Sequence, residues 1–397
     1  MLTLVLATIP LGLAIGLPVT ALLVRLGHRL RAMDTQGHGT HVKVLRTVPN
    51  IGGIAIFLAV AAPLATFLVV TATIGVDGLA RRVDALAPYT ERIHESLPTA
   101  AALLACLALL HVTGLVDDRR ALGPFVKLSL QVIPAVLLAA AFDVRLFTFL
   151  DKAMPSLAPV PSVALSAIWI VLITNAINFL DNMDGLAAGV SAISALLFMV
   201  AAILNQQWFI AATLGLLIGG LGGFLAFNFP PARIFMGDGG SLVIGFLLGV
   251  LTARTTFYDY LHPGRPLGGG WYGVFMPLVV LAVPIYDFTS VTVLRLRQGR
   301  SPFVGDQQHF SHRLVQRGFT RRGAVLVIWT IAAVTGISGI TLGSLHEWQA
   351  ILVGVQTILI LLVLAGMEYA SRHAGHAGHA GHAGHAGHAG RPSPDKP

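Results

Sequence analysis

Long runs of apolar side chains recur along almost the whole chain and limit its possible folds more than any other feature. A helix needs roughly 20 mostly apolar residues to cross a bilayer, and the sequence contains about eleven such segments. They lie at approximately 2–26, 51–76, 99–116, 124–142, 162–180, 186–204, 208–229, 240–258, 272–293, 324–345 and 349–370. With 55% hydrophobic and only 11% charged residues, the composition does not fit a soluble protein. The sequence therefore predicts an all-α polytopic membrane protein.

The distribution of Lys and Arg predicts the orientation in the membrane. Most of the 26 Lys and Arg residues fall in alternate connections, on one side of the predicted spans. Loops rich in Lys and Arg stay in the cytoplasm, which predicts an outside N-terminus and an inside C-terminus in the inner cell membrane. The basic inner face accounts for the net charge of +8 without a nucleic-acid partner, and it would attract anionic lipid and anionic soluble substrates.

The C-terminal tail differs from the rest of the chain. His-Ala-Gly repeats begin at His373, and they have no apolar face to bury. We therefore predict a transmembrane domain at 1–371 and a disordered tail at 372–397. A dispensable low-complexity tail and a weak site for transition metals are both open interpretations. The single cysteine, Cys106, lies inside the third apolar segment and excludes a disulfide framework.

The stretch "NAINFLDNMDGLAAG" places several polar side chains directly after an apolar run. Asn175 and Asn178 lie three residues apart and share one helix face, which Asp181 continues and Asp184 extends if the helix runs on. An ionised carboxylate at the bilayer centre costs about 2.5 to 3.5 kcal/mol on insertion scales. This polar stripe is therefore predicted to line a cleft, and Gly185 would let the chain turn back.

Further polar residues recur at the same inner boundary. Asp117 and Asp118 end the third segment, Asp238 begins the eighth, and His309 and His312 lie in the last inner loop. A single Asp there could simply end a helix, but the protein has only 18 acidic residues and five of them converge on this face. Clustered carboxylates ionise together only when a cation neutralises them, and Mg²⁺ takes one or two protein oxygens while keeping sites for phosphate. The pattern predicts a Mg²⁺ site, with Mn²⁺ as the alternative ion.

Basic residues near these carboxylates indicate which ligand the cation would bind. The "GDGGS" sequence at a helix start supplies backbone N–H groups for an anion, and Phe235 could stack on a base. A diphosphate is therefore predicted between the metal and the basic groups. The basic residues are Lys43, Arg46, Arg119, Arg120, Lys127 and Arg313.

Five motifs, taken in order, resemble the polyprenyl-phosphate N-acetylhexosamine-1-phosphate transferases, which are the family of MraY and WecA (glycosyltransferase family 4). "GLVDDRRALGP" resembles the aspartate-pair loop of that family, and "NAINFLDNMDGLAAG" resembles its N-x-x-N-x-x-D-x-x-D-G-L signature. "IFMGDGGSLVIG" resembles its F-M-G-D-x-G-S motif, "HFSHRLVQRGFT" its histidine loop and "PNIGGIAIF" its first inner loop. The match spans roughly 34–323.

The resemblance implies an enzyme that transfers an N-acetylhexosamine 1-phosphate from a UDP-sugar to undecaprenyl or another polyprenyl phosphate and releases UMP. This would be the first membrane step of a surface polysaccharide or cell-wall polymer, and a homodimer is one possible assembly. GlcNAc is the favoured sugar, because the H-H-H-F-E stretch typical of the muramoyl-pentapeptide branch is absent. A phospho-N-acetylmuramoyl-pentapeptide transferase is the alternative within the family. A membrane transporter is the alternative from another class.

The resemblance also implies roles for individual residues. Asp238 matches the catalytic metal-binding aspartate, and Asn178 matches an asparagine that joins it in some members. Asp117 resembles the proposed base toward the lipid phosphate with Asp118 as its partner, and which of the two acts as base stays open. The substrate-binding positions are Asn175, Asp181, Asp184, Asn228, Phe235, His309, His312, Arg313, Lys43 and Lys127.

Three positions depart from the family pattern. Ser311 replaces the middle histidine of H-x-H-H, Asn182 replaces the first glycine of D-G-x-D-G, and Asn50 stands where Arg is common. Asp287, inside the ninth segment, is equally compatible with a buried structural role and with a site role.

Overall fold

The computed structural model describes residues 1–30, 48–255, 275–301, 309–342 and 345–383. Within these ranges the chain forms helices and no strands, which confirms the predicted all-α architecture. The predicted substrate residue Lys43 lies outside the described residues, as does Arg46. The α-helices are α1 (Leu2–Leu30), α2 (Gly53–Ala80), α3 (Thr90–Asp117), α4 (Pro124–Ala141), α5 (Phe149–Ala153), α6 (Val160–Leu180), α7 (Leu186–Leu204), α8 (Trp208–Asn228), α9 (Asp238–Thr255), α10 (Met276–Val280), α11 (Ala282–Arg297), α12 (Phe310–Gln316), α13 (Arg321–Ile340) and α14 (Glu347–Ala383).

Among the described residues, nine helices are long and apolar enough to cross a membrane: α1 to α4, α6 to α8, α13 and α14. The protein is therefore a multi-pass membrane protein. The other two of the eleven predicted segments are also helical. The eighth forms α9, and the ninth is divided into α10 and α11 at Leu281, whose backbone is not helical. Pro284 follows this break, where it lacks the N–H that would bond to the preceding turn.

The connection predicted at 77–98 is mostly helical. A 3₁₀ helix spans Asp84–Tyr89, and α3 begins at Thr90, before the apolar segment that was predicted to start at 99. Hydropathy detects the part of a helix that is suited to lipid. The polar first turns of α3 therefore had no apolar signal by which the sequence could reveal them.

Helices α1 and α8 approach each other closely along a row of glycines. A Cβ on Gly219 would lie 2.1 Å from the carbonyl oxygen of Ile9, and one on Gly223 would lie 2.4 Å from the backbone nitrogen of Leu17. Neither position leaves room for a side chain. The "GGLGG" sequence thus serves helix packing, as small residues do in membrane bundles.

Helix α9 begins where the ends of three other helices meet. A Cβ on Gly114 of α3 would lie 2.4 Å from the Asp238 carbonyl oxygen, and one on Gly53 of α2 would lie 2.3 Å from the backbone nitrogen of Gly240. Further along α9, a Cβ on Gly245 would lie 2.7 Å from the Cα of Thr174 in α6. These glycine contacts hold the first turn of α9 against α2 and α3, and its middle against α6.

The chain divides into two compact units, Met1–Ala350 and Ile351–Pro397. In the second unit the described residues are the continuation of α14, which passes the predicted tail boundary at 372 and reaches Ala383. Residues 384–397 lie outside the described part, so the disordered tail stays a prediction.

Candidate active site

Two carboxylates and one ammonium group meet at the end of the bundle where α3 stops and α9 starts. The Lys127 Nζ atom lies 3.1 Å from Asp117 Oδ2, and it also pairs with the Asp238 carboxylate. The backbone N–H of Leu122 donates to the other Asp117 oxygen at 2.8 Å. Three residues that the sequence predicted as site residues therefore form one charged cluster.

Asn178 joins this cluster from the last turns of α6. Its Nδ2 donates to Asp238 Oδ1 at 2.7 Å and to Ser241 Oγ at 2.8 Å. The predicted metal pair, Asp238 and Asn178, is thus in direct contact across two helices. Ser241 was not predicted, although it stands one turn after Asp238 in the "GDGGS" sequence.

Asp118 faces a different set of partners from its neighbour. Its carboxylate accepts hydrogen bonds from the backbone N–H groups of Asp238 at 3.1 Å and Gly239 at 3.3 Å. Asn50 Nδ2 donates to the same carboxylate at 3.1 Å. Burial and repulsion from the Asp238 carboxylate outweigh these bonds and raise the pKa of Asp118 to about 7. Asp118 thus caps the N-terminus of α9.

His111 of α3 contacts the first turn of α9. Its Nδ1–H donates to the Gly239 carbonyl oxygen at 2.7 Å, and its ring stacks on Phe57 with centroids 4.3 Å apart. Neither residue was predicted as part of the site. They lie on apolar stretches of α3 and α2, where a lone ring gives no pattern that distinguishes packing from function.

The predicted nucleotide-site residues lie around the turns at Asp181–Gly185 and Pro230–Gly237. Asn228 Oδ1 accepts from the Gly185 N–H and Asn228 Nδ2 donates to the Ile234 carbonyl, both at 2.8 Å. Asp184 Oδ2 accepts from the Ala232 N–H at 3.0 Å. Asn228 and Asp184 therefore position the two turns relative to each other, and the φ of 75° at Gly185 lets the chain reverse.

The remaining predicted residues of this group differ in their surroundings. Asp181 follows the last residue of α6, and Phe235 is half-buried with its backbone bonded to Pro49 and Gly52. Asn175 does not join the carboxylates. Its Nδ2 donates to Gln131 Oε1 at 2.6 Å and to the Val171 carbonyl at 2.8 Å.

The histidine motif is anchored by the buried Asp287. His309 Nδ1 lies 2.8 Å from Asp287 Oδ2, and the Phe310 N–H donates to Asp287 Oδ1 at 2.7 Å. The ring of His312 lies 6.5 Å from that of His309, and Arg313 Nη2 donates to a serine hydroxyl on α11 at 3.0 Å. Of the two roles open to Asp287, the structure therefore supports the structural one.

Two of the positions that depart from the family pattern contact each other. The hydroxyl of Ser311 donates to Asn182 Oδ1, which connects the histidine motif to the turn after α6. Phe179 on α6 also packs edge-on against His309, with ring centroids 6.0 Å apart. The histidine motif therefore lies beside the Asp181–Gly185 turn, as expected for one continuous site.

The fold and this cluster define a multi-pass membrane protein with a charged, polar site at one end of its helix bundle. Comparison with known proteins identifies the family of the chain. Residues 100–256 match the model of glycosyl transferase family 4. The decaprenyl-phosphate N-acetylglucosaminephosphotransferase of Mycobacterium tuberculosis (strain H37Rv) is 31% identical over 79% of this chain and 75% of its own. The chain belongs to glycosyl transferase family 4.

Two other relatives bear on the substrate. A protein of Bacillus subtilis (strain 168) named "probable undecaprenyl-phosphate N-acetylglucosaminyl 1-phosphate transferase" is 28% identical over 87% of both chains. The phospho-N-acetylmuramoyl-pentapeptide-transferase of Desulforudis audaxviator is 31% identical over 58% of this chain and 70% of its own. The relatives named for N-acetylglucosamine thus match a larger share of this chain.

Proposed function

We propose that the protein transfers N-acetylglucosamine 1-phosphate from UDP-N-acetylglucosamine to a polyprenyl phosphate and releases UMP. The observation that carries this proposal is the contact of Lys127 with both Asp117 and Asp238 at the end of membrane-spanning helices. A lipid phosphate and a soluble nucleotide can meet at such a boundary. Family membership and the names of the two relatives that match most of the chain support the same reaction.

Asp238 and Asn178 are the residues that would hold a Mg²⁺ ion. The described residues contain no group of three or more His, Cys, Asp or Glu side chains that could hold a metal on their own. A carboxylate and an amide oxygen suit Mg²⁺, which binds few protein groups together with substrate phosphates. The ion would take the place of an N–H group that Asn178 or Lys127 donates to Asp238. Such an ion would neutralise the diphosphate and make its phosphorus more electrophilic.

The proposed reaction exchanges one phosphorus–oxygen bond for another. An oxygen of the lipid phosphate forms a bond to the β-phosphorus of the UDP-sugar, and the bond from that phosphorus to the bridging oxygen of UMP breaks. The bonding electron pair leaves with UMP, and the bond from the sugar to its phosphate stays intact. Lys127 lies where its ammonium can reduce repulsion between the two anions.

Asp117 and Asp118 have different roles in the proposed reaction. Asp117 faces Lys127 and would accept the proton of a singly protonated lipid phosphate, which in general contributes at most ~10⁴-fold. Asp118 bonds to the first turn of α9, so it would act by holding Asp238 in place. The sugar and uridine would lie toward His309, His312 and Arg313. The site would open to the cytoplasm from the inner cell membrane.

The test is UMP release by the purified protein with undecaprenyl phosphate, Mg²⁺ and a panel of UDP-sugars. UDP-N-acetylglucosamine should support turnover, and both a chelator and Asp238→Asn should remove it, since the substitution keeps the volume and loses the charge. Near-normal activity of folded Asp238→Asn would remove Asp238 from the metal role. Turnover with only UDP-N-acetylmuramoyl-pentapeptide would favour the muramoyl alternative. No turnover with any donor would leave the transporter alternative to be tested by solute uptake.

A further inference from the structure

A cavity of about 960 Å³ lies at the end of the bundle opposite the carboxylate cluster. It is lined by the start of α1, the end of α2, the start of α3 and the turn between α7 and α8. Arg254, near the end of α9, also lines it. Since α9 begins at Asp238 and rises about 1.5 Å per residue, the two sites are separated by about 24 Å along its axis.

The polar part of this cavity contains three buried polar atoms that have no hydrogen-bond partner in the described part of the chain. They are Arg254 Nη1, Trp208 Nε1 and Gln207 Oε1. Two of the three are donors, and burying a donor without an acceptor is costly. The Gln207 amide nitrogen, by contrast, donates to the Arg254 carbonyl at 3.1 Å. Both donors are buried just behind the cavity surface, so a ligand with acceptor oxygens would satisfy them after a small side-chain movement.

The acidic group that acts on Arg254 is Asp143, and it is shared with a second arginine. Arg145 already pairs with Asp143 at 2.5 Å and with Asp151 at 2.6 Å. The other charged groups of the lining are Arg92 and Glu95. Arg254 and the indole N–H of Trp208 thus offer a charge-assisted site for a phosphate or carboxylate.

The rest of the lining is apolar. Val5 of α1, Leu64 and Phe67 of α2, and Leu216 of α8 contribute to it, and all belong to helices that cross the membrane. A ligand that filled both parts would have an anionic head and a hydrocarbon chain. Ligand pockets in proteins commonly measure roughly 300 to 1,000 Å³, so this cavity could hold a phosphate head and part of an acyl chain.

We propose that this cavity binds an anionic membrane lipid, with its phosphate at Arg254 and Trp208 and an acyl chain among α1, α2 and α8. The site is separate from the transfer reaction, and its occupancy can be measured without activity. A bound lipid would contact α1, α8 and α9, and α9 begins at the carboxylate cluster.

The experiment uses the full chain purified in detergent and stripped of lipid. Thermal unfolding and native mass spectrometry would be followed with phosphatidylglycerol, with phosphatidylcholine of the same chains, and with inorganic phosphate alone. We expect saturable stabilisation by phosphatidylglycerol, a weaker effect of phosphatidylcholine and none from phosphate. Equal stabilisation by phosphate alone would overturn the lipid assignment, because the apolar part would then contribute nothing.

Two independent variants test the polar contacts. Arg254→Met and Trp208→Phe should each weaken phosphatidylglycerol binding by about tenfold, the effect of losing one charge-assisted hydrogen bond. Trp208→Phe keeps an aromatic ring, so it tests the N–H even if Arg254→Met does not fold. The matched control is Arg82→Met, since Arg82 is exposed and does not line the cavity. Unchanged binding in both variants, or equal loss in the control, would overturn the proposal.

Discussion

Asp117 and Asp118 are adjacent in the chain, yet their carboxylates face different elements. Asp117 turns toward Lys127 of α4, and Asp118 turns toward the first turn of α9. The sequence predicted both as site residues but left their roles open, because two consecutive aspartates at a helix end give no signal of direction. The backbone N–H groups of Asp238 and Gly239 make the distinction, and they belong to a part of the chain that is distant in sequence.

The raised pKa of Asp118 predicts how the stability of the metal-free protein depends on pH. The folded pKa of about 7 lies above the ordinary value of 3.8, so the folded state binds more protons than the unfolded state between these values. The contribution of Asp118 is therefore full below the ordinary value and is lost as pH rises through about 7. With a chelator present, the melting temperature of wild type should fall more between pH 5 and pH 8 than that of Asp118→Asn. Equal falls in the two proteins would contradict the assignment.

The contact between Ser311 and Asn182 gives a second prediction for single residues. Because each side chain has the other as its partner, Ser311→Ala and Asn182→Ala should disturb the same junction between the histidine motif and the turn after α6. Each change should raise the KM for the UDP-sugar severalfold. Asn182 Nδ2 also donates to the Phe179 carbonyl, so the double variant should be little worse than Asn182→Ala alone, with a coupling of about 0.5 to 1.5 kcal/mol. Steady-state UMP release gives these values, and strictly additive losses would show that the two residues act separately.

At the scale of elements, the presence of the helices was easier to predict than their exact ends or the contacts that hold them. The family resemblance implied that Asn178 joins Asp238, and in the structure α6 and α9 bring these two side chains into hydrogen-bond contact. The glycines that seat α9, Gly53 and Gly114, gave no such signal, since isolated glycines are common in membrane helices. The anchoring of His309 by Asp287 was also beyond the sequence, because it joins α11 to a short helix that hydropathy does not detect.

The close approach of α1 and α8 predicts a difference between two glycines of the same helix. A Cβ at Gly219 would meet backbone of α1, whereas a Cβ at Gly222 would lie 3.9 Å from the flexible end of Leu13, an ordinary contact. Gly219→Ala should therefore lower the melting temperature by several degrees, because backbone atoms must move. Gly222→Ala should be neutral or slightly stabilising, since Ala exceeds Gly in helix propensity by about 1 kcal/mol. Equal effects in detergent melts would argue against tight α1–α8 packing.

At the scale of the molecule, the site and the cavity occupy opposite ends of the bundle, and α9 reaches both. The sequence predicted the membrane class and the convergence of the acidic motifs on one face, because hydropathy and residue order determine both. It could not predict the cavity, whose lining residues come from the ends of several helices far apart in sequence. Lys43 stays a prediction because it lies outside the described residues.

The predicted orientation, with the carboxylate cluster toward the cytoplasm, can be tested on the whole protein in cells. The only cysteine, Cys106, is buried, so the wild-type chain should react little with maleimides and provides a low background. Arg82 and Arg120 are both exposed, and they lie at opposite ends of α3, beyond its first and last turns. In intact cells a membrane-impermeant maleimide should label Arg82→Cys and leave Arg120→Cys unlabelled, while permeabilised cells should show both labelled. The reverse pattern would place the cluster outside, where a cytoplasmic UDP-sugar could not reach it, and would exclude the proposed reaction in that orientation.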